Sequence, residues 1–155
     1  MPVRGSRTQS TPQPTPLHRR PAAIAWVFLG GLVGTGVRYA LEEVLPPQSG
    51  HWPVATFTVN LVGAFVLGLL LEGLARTGDD DGWRRRLRLL AGTGFCGSFT
   101  TYSSFALETS LLARDGATSM AMGYALGTVV AGLVCVWLGI VIAASVLRTR
   151  DGEVR

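Results

Sequence analysis

Gly92-Thr-Gly-Phe-Cys-Gly-Ser-Phe-Thr-Thr-Tyr-Ser-Ser-Phe105 lies in the middle of an apolar run that extends from about Leu87 to Leu112. Such a run is long enough for a helix to cross the hydrocarbon core of a bilayer, which takes roughly 20 residues. Its centre is crowded with glycine and hydroxyl side chains, more densely than close helix packing requires. The pattern predicts a spanning helix that is interrupted in mid-membrane. Backbone groups freed by such a break are tolerated at that depth only where they are buried in protein or bind an ion.

Three more apolar segments accompany it, at about Ala22–Leu41, Val54–Leu74 and Met120–Leu147. The expected fold is an all-α membrane protein of four transmembrane helices with the third interrupted. Composition agrees: 48% of the residues are hydrophobic and only 15% charged, against roughly 25% charged in a soluble domain. Residues 1–21 carry five prolines and little to bury, and are expected to form a disordered basic arm. Residues 22–147 form the transmembrane domain and residues 148–155 a short tail. Arg19-Arg20 before an apolar run imitates a secretory signal, but more membrane follows it instead of a cleavage site and a polar domain.

The net charge of +4 is carried entirely by arginine, since the chain has no lysine. These arginines sit in the tails and in one loop, which suits membrane topology and anionic lipid and argues against a nucleic-acid face. Twelve of them fall on the side shared by both termini and the loop between segments two and three, with only Arg114 opposite and Arg38 inside segment one. That bias places both termini in the cytoplasm of a multi-pass protein of the cell's inner or plasma membrane.

Cys96 and Cys135 lie within apolar segments and read as small apolar residues. No cysteine or histidine cluster has metal-ligand spacing, and no nucleophile stands in a recognisable motif with a histidine base. The sequence therefore does not read as an enzyme.

Few polar groups lie at membrane depth, and each has a bland alternative. Asn60 is either an interhelical hydrogen-bonding group or an amide donor facing a permeating anion. Arg38 is either a side chain snorkelling to the interface or a cation at a pore mouth. Glu108 lies four residues after Ser104, and an intramembrane carboxylate usually faces protein or water. Tyr102 and Phe105 are neighbours on a helix, where aromatic rings mostly pack, although their positive edges can also hold a small anion. Ser103 and Ser104 add hydroxyl donors beside them. Gly30 with Gly34, and Gly123 with Gly127, form GxxxG pairs that predict close approach of helix backbones.

Taken together, three motifs resemble those of the Fluc (CrcB) family of fluoride channels: Gly30-Gly-Leu-Val-Gly34 with Arg38-Tyr39, Thr58-Val-Asn60-Leu-Val-Gly63, and Gly94-Phe-Cys-Gly-Ser-Phe-Thr-Thr-Tyr-Ser-Ser-Phe-Ala-Leu-Glu108. Their order and spacing match over roughly Ala22 to Leu147, and the third motif is the most specific. The resemblance implies an antiparallel dimer with two narrow pores, through which fluoride leaves the cell passively. It implies a structural, untransported sodium ion held at the dimer centre by the backbone carbonyls of Gly97 and Thr100. It also implies a fluoride pathway of Asn60, Tyr102, Phe105, Ser103 and Ser104, with Arg38 and Glu108 at vestibule or supporting positions.

The sequence departs from the family pattern at Ser98, where a glycine is usual, at Tyr102 in place of phenylalanine, and at Ser104 in place of threonine. Segment four shows no obvious hydroxyl over Val129–Cys135 where many members offer one. An antiparallel homodimer needs copies inserted both ways, whereas twelve arginines against one favour a single orientation. The partner is therefore either a second copy or an oppositely oriented paralogue. A small four-helix multidrug or cation exporter would want a carboxylate deep in its first helix, which has none. A non-transporting membrane scaffold would leave Asn60, the broken helix and the hydroxyl run unexplained.

Overall fold

The computed structural model describes residues 20–46 and 50–152, and all its regular elements are helical. The proline-rich arm expected to be disordered lies outside the described residues, except for its last two positions. Helix α1 spans Pro21–Val44, α2 Val54–Thr77, α3 Gly82–Leu87, α4 Gly97–Phe99, α5 Tyr102–Arg114 and α6 Thr118–Gly152. A π-helical stretch, Arg88–Cys96, joins α3 to α4. The third membrane segment is thus a composite of α3, the π-helical stretch, α4 and α5.

Three helices, Pro21–Val44, Val54–Thr77 and Thr118–Arg148, are long and apolar enough to cross a membrane. With the bent third segment they make the expected four-helix membrane fold. Many large apolar side chains on them face outward, among them Phe28, Leu32, Leu126 and Leu133, as a chain embedded in hydrocarbon requires. At about 1.5 Å per residue α6 is roughly 50 Å long, so it projects past the hydrocarbon core, and it continues through Arg148 where the sequence reading begins a tail.

Local chemistry sets the helix ends. Pro21 occupies the first turn of α1, where its missing N–H costs nothing. Helix α5 closes on a left-handed glycine, Gly116 at φ 82°. The Gly116 N–H reaches the Ala113 carbonyl (3.2 Å) and the Ala117 N–H reaches that of Leu112 (3.0 Å). This reversal satisfies the last carbonyls of α5 and turns the chain directly into α6.

Glycines bring the helices together at two crossings. A side chain at Gly30 or Gly34 of α1 would collide with the backbone of Leu90 or Phe95, and one at Gly94 with the Val27 carbonyl of α1. Gly92, on another face of the π-helical stretch, sits against Leu67 and Leu70 of α2. At the second crossing, Gly68 of α2 abuts the Val136 carbonyl and Gly139 of α6 abuts the Phe65 carbonyl. The GxxxG expectation thus holds for Gly30 and Gly34. It fails for Gly123 and Gly127, where an added Cβ would meet the Trp52 indole, at 3.9 and 3.5 Å, and no helix backbone. The pair makes room for an aromatic plate delivered by the α1–α2 connection, so sequence spacing alone names the wrong neighbour.

The loop leading into α3 is tied by its own charges. Arg84 donates to the carbonyls of Asp79 (2.7 Å) and Thr77 (3.0 Å) and to the Asp81 carboxylate (3.2 Å). Arg85 donates to the Asp80 carbonyl (2.6 and 3.0 Å), and Arg88 grips both Asp80 carboxylate oxygens (3.0 and 2.6 Å). The arginine-rich loop is therefore a compact knot.

Candidate functional site

The third segment breaks at Thr100 and Thr101, which are extended at φ −79°, ψ 155° and φ −144°, ψ 122°. The motif on α2 receives the break. Asn60 and Gly63 are three residues apart and so share a helix face. The Asn60 amide accepts the Thr101 N–H at 2.8 Å and donates to the Thr101 carbonyl at 3.0 Å. Gly63 has no side chain where the Thr100 methyl packs; a Cβ there would collide with it. The Thr100 N–H and hydroxyl both turn back to the Cys96 carbonyl, at 3.0 and 2.8 Å.

Thr101 then starts the next helix. Its buried hydroxyl oxygen accepts the Ser104 N–H at 3.1 Å, capping α5, and meets the hydroxyls of Ser104 and Ser103 at 3.1 and 3.2 Å. An N-cap threonine satisfies one of the orphan donors of a first helical turn.

Beside the break lies a groove of ≈ 300 Å³ lined by Asn60, Thr100, Thr101, Tyr102, Phe105, Thr128 and Val129. Tyr102 and Phe105 have ring centroids 6.0 Å apart, Phe105 and Tyr124 5.4 Å, and Tyr124 and Trp52 5.4 Å at 87°. The rings form a continuous aromatic file running inward from Tyr102, which is 81% exposed, to Tyr124, which is fully buried.

Glu108 projects from α5 into the bundle, where the Thr56 hydroxyl donates to one carboxylate oxygen (2.7 Å) and the Tyr124 hydroxyl to the other (2.8 Å). Thr56 and Tyr124 are almost wholly buried, so the Glu108 carboxyl joins α2, α5 and α6 through hydrogen bonds in the interior of the bundle. A second cavity of ≈ 680 Å³, beside the α1–α2 connection, is lined by Glu42, His51, Trp52, Thr56, Ser104 and Glu108 among others.

The structure thus gathers Asn60, Tyr102 and Phe105 at one groove and places Ser104 and Glu108 on the neighbouring cavity. Ser103 is exposed and touches the Thr101 hydroxyl. Gly97 is exposed, with space where a side chain would go, and Thr100 lies at the break. Arg38 stands apart on α1, 3.9 Å from the Glu42 carboxylate, and its Nε is buried without a hydrogen-bond partner.

Four residues that share these sites escape the sequence reading: Thr56, Thr101, Tyr124 and Thr128. Thr128 provides the hydroxyl that Val129–Cys135 lacks, one residue upstream, and donates to the Tyr124 carbonyl at 2.7 Å. A signal does exist. Thr56 with Asn60, Ser104 with Glu108, and Tyr124 with Thr128 are each four apart, so each pair lies on one helix face.

Residues 25–140 match the family model described as CrcB-like protein, Camphor Resistance (CrcB). The protein named Fluoride-specific ion channel FluC 1 from Cutibacterium acnes is 40% identical over 135 residues, covering 87% of this chain and 94% of its own. Fluoride-specific ion channel FluC 2 from Leifsonia xyli subsp. xyli is 42% identical over 131 residues, covering 84% and 90%. A protein of the same name from Moorella thermoacetica is 39% identical over 125 residues, covering 79% and 98%. With a family model matched over most of its length and relatives aligned nearly end to end, the chain belongs to the CrcB family of multi-pass membrane proteins.

Proposed function

We propose that this chain is a fluoride-specific ion channel that lets fluoride leave the cell passively and so lowers cytoplasmic fluoride. The observation that carries the reading is the groove beside the helix break. There, in a membrane segment, an amide, two aromatic rings and a hydroxyl-bearing helix turn converge with no charged side chain lining the space. A small, strongly hydrated anion gives up water only where several weak positive edges replace it, and ring edges, amide hydrogens and hydroxyls are such groups. The relatives' names point to the same ion.

In this reading Asn60, Tyr102, Phe105, Ser103 and Ser104 form the pathway, joined by Tyr124 and Thr128. Arg38, through Glu42, and Glu108 border its vestibule. Residues 22–147 are the channel domain, and both termini lie on one side of the membrane, the cytoplasmic side for an upright copy. Nothing is chemically transformed, so the protein is a conduit and not an enzyme.

The working unit is an antiparallel dimer, formed with a second copy or with an oppositely oriented paralogue. Tyr102 supports it, because this ring lines the groove and is 81% exposed, so a partner chain packed there would close the open side of the groove.

The residues also fit a structural sodium ion. An unbroken helix would direct the Thr101 N–H to the Gly97 carbonyl and the Ser104 N–H to the Thr100 carbonyl. The first goes to Asn60 and the second to the Thr101 hydroxyl. The Gly97 and Thr100 carbonyls are thereby released from those two bonds, and neutral oxygen donors suit a hard cation. Sodium held there would bind the two copies together.

The deciding experiment is fluoride efflux from liposomes containing the purified chain, read with a fluoride electrode against a chloride control. Selective efflux is expected, from the chain alone or after co-reconstitution with an oppositely oriented relative. No efflux in either preparation overturns the reading.

A further inference from the structure

We infer that Thr101 is a positioning residue that sets the direction of the hydroxyl hydrogens along the pathway, acting on the ion through Ser104. The inference rests on the channel reading above. A threonine hydroxyl has one hydrogen and two lone pairs. At Thr101 the geometry gives that hydrogen to Ser104 Oγ at 3.1 Å. Its oxygen accepts the Ser104 N–H at 3.1 Å. The remaining contact, with Ser103 Oγ at 3.2 Å, must then be filled by the Ser103 hydrogen.

The direction of the chain follows: Ser103 donates to Thr101, and Thr101 donates to Ser104. Ser104 Oγ therefore receives a hydrogen from Thr101, and its own hydrogen is left to point elsewhere. Ser104 lines the ≈ 680 Å³ cavity that neighbours the groove, the vestibule of the pathway in the channel reading, and this gives that hydrogen an open direction beside Glu42 and Glu108. Receiving a hydrogen bond also polarises the Ser104 hydroxyl and makes it a stronger donor. Thr101 is itself fixed, since it is buried and its N–H and carbonyl are both held by Asn60. A donor pre-aimed at the path of an anion does not have to reorient when the ion arrives.

The test is a double-mutant cycle on fluoride efflux with Thr101→Val, Ser104→Ala and the double variant. Thr101→Val is nearly isosteric and removes the hydroxyl; Ser104→Ala removes the aimed donor but keeps the Ser104 N–H that Thr101 caps. Each single variant is expected to lose about tenfold in fluoride flux, and the double variant no more than either. Thr101→Ser, which keeps the hydroxyl, should conduct within about twofold of wild type.

A purely structural cap would give a different result, because Thr101→Val would then cost the same factor in the Ser104→Ala background. Such additivity, or a tenfold loss in Thr101→Ser, overturns the inference. Should Thr101→Val fail to assemble, Thr101→Ala enters the same cycle with the same criterion. A wild-type protein without flux overturns the channel reading and this inference with it, whereas a conducting wild type with additive losses overturns the inference alone.

Discussion

Asn60 and Thr101 stand 41 residues apart in the chain, yet the side-chain amide of one pairs with the backbone of the other as an adjacent strand would. The pairing satisfies backbone groups that a helix break inside a membrane segment would otherwise leave free. Replacing Asn60 by aspartate keeps the acceptor but removes the donor, and sets a fixed negative charge against the Thr101 carbonyl and beside the groove. Asn60→Asp should lower fluoride flux by at least about tenfold and destabilise the fold by about 1–3 kcal/mol. Efflux and thermal unfolding of the same preparation check both, and unchanged flux would remove Asn60 from the pathway.

Phe105 touches Tyr102 on one side and Tyr124 on the other, and also lines the groove. Isoleucine fills comparable space without a ring edge. If the edge faces the ion, Phe105→Ile should slow flux roughly three- to tenfold, the equivalent of about 0.5–1.5 kcal/mol, while the protein still purifies as one species. A wild-type rate would reduce Phe105 to a packing residue.

Glu108 is held by two hydroxyls from two other helices. Tyr124→Phe removes one of them and leaves a partly buried carboxylate oxygen short of a donor. The expected cost is about 1–3 kcal/mol, and most of it should vanish in a Glu108→Gln background if the two residues act as a pair. Thermal unfolding of the two single variants and the double variant gives the coupling directly.

Alanine at the crossing glycines separates the two GxxxG pairs. Gly30→Ala or Gly139→Ala drives a methyl into a neighbouring backbone, so loss of stability by about 1–3 kcal/mol or loss of assembly is expected. Gly123→Ala meets only a ring atom of Trp52 at 3.9 Å and should leave the melting temperature close to wild type. Equal losses at Gly123 and Gly30 would refute the assignment of the second pair to the Trp52 indole.

Asp80 has the clearest pH signature outside the membrane. The hydrogen bond from Arg88, aided by the charges of Arg88 and Arg85, holds its carboxyl below the ordinary aspartate value of 3.8 despite some desolvation. Its stabilisation is therefore complete above that value and is lost as the pH falls through the lowered one. The side chain is 47% exposed, so screening limits the contribution to about 1 kcal/mol or less. Asp80→Asn should remove that much stability at neutral pH and flatten the acid limb of an unfolding titration; an unchanged limb would contradict the linkage.

The parts of this fold that answer to the bilayer can be read in the sequence. Long apolar runs are obligatory there, so the four segments and the interruption of the third are visible from composition alone, as are the tight Gly30 and Gly34 contacts. What depends on which helix faces which is less visible. Gly123 and Gly127 have the same spacing as Gly30 and Gly34, and only the path of the α1–α2 connection makes Trp52 their neighbour. Tyr124 in an apolar helix looks like ordinary packing until Glu108 is found 2.8 Å from its hydroxyl. Thr128 lies one residue outside the window in which a hydroxyl is expected. Asn60 is conspicuous as a lone amide at depth, but its bond to the backbone of Thr101 could not be inferred before the break was placed.

The knot of aspartates and arginines before α3 has a consequence for the life of the protein. Once Arg84, Arg85 and Arg88 are tied to Asp79, Asp80 and Asp81, that loop is a folded plug of charge, and carrying it through hydrocarbon would require dismantling it at great cost. Turning a copy over in the bilayer would have to undo that knot, so an orientation taken at insertion would be kept. Were copies inserted both ways round, as an antiparallel pair of this one chain would need, their proportion would be set while the chain is being made.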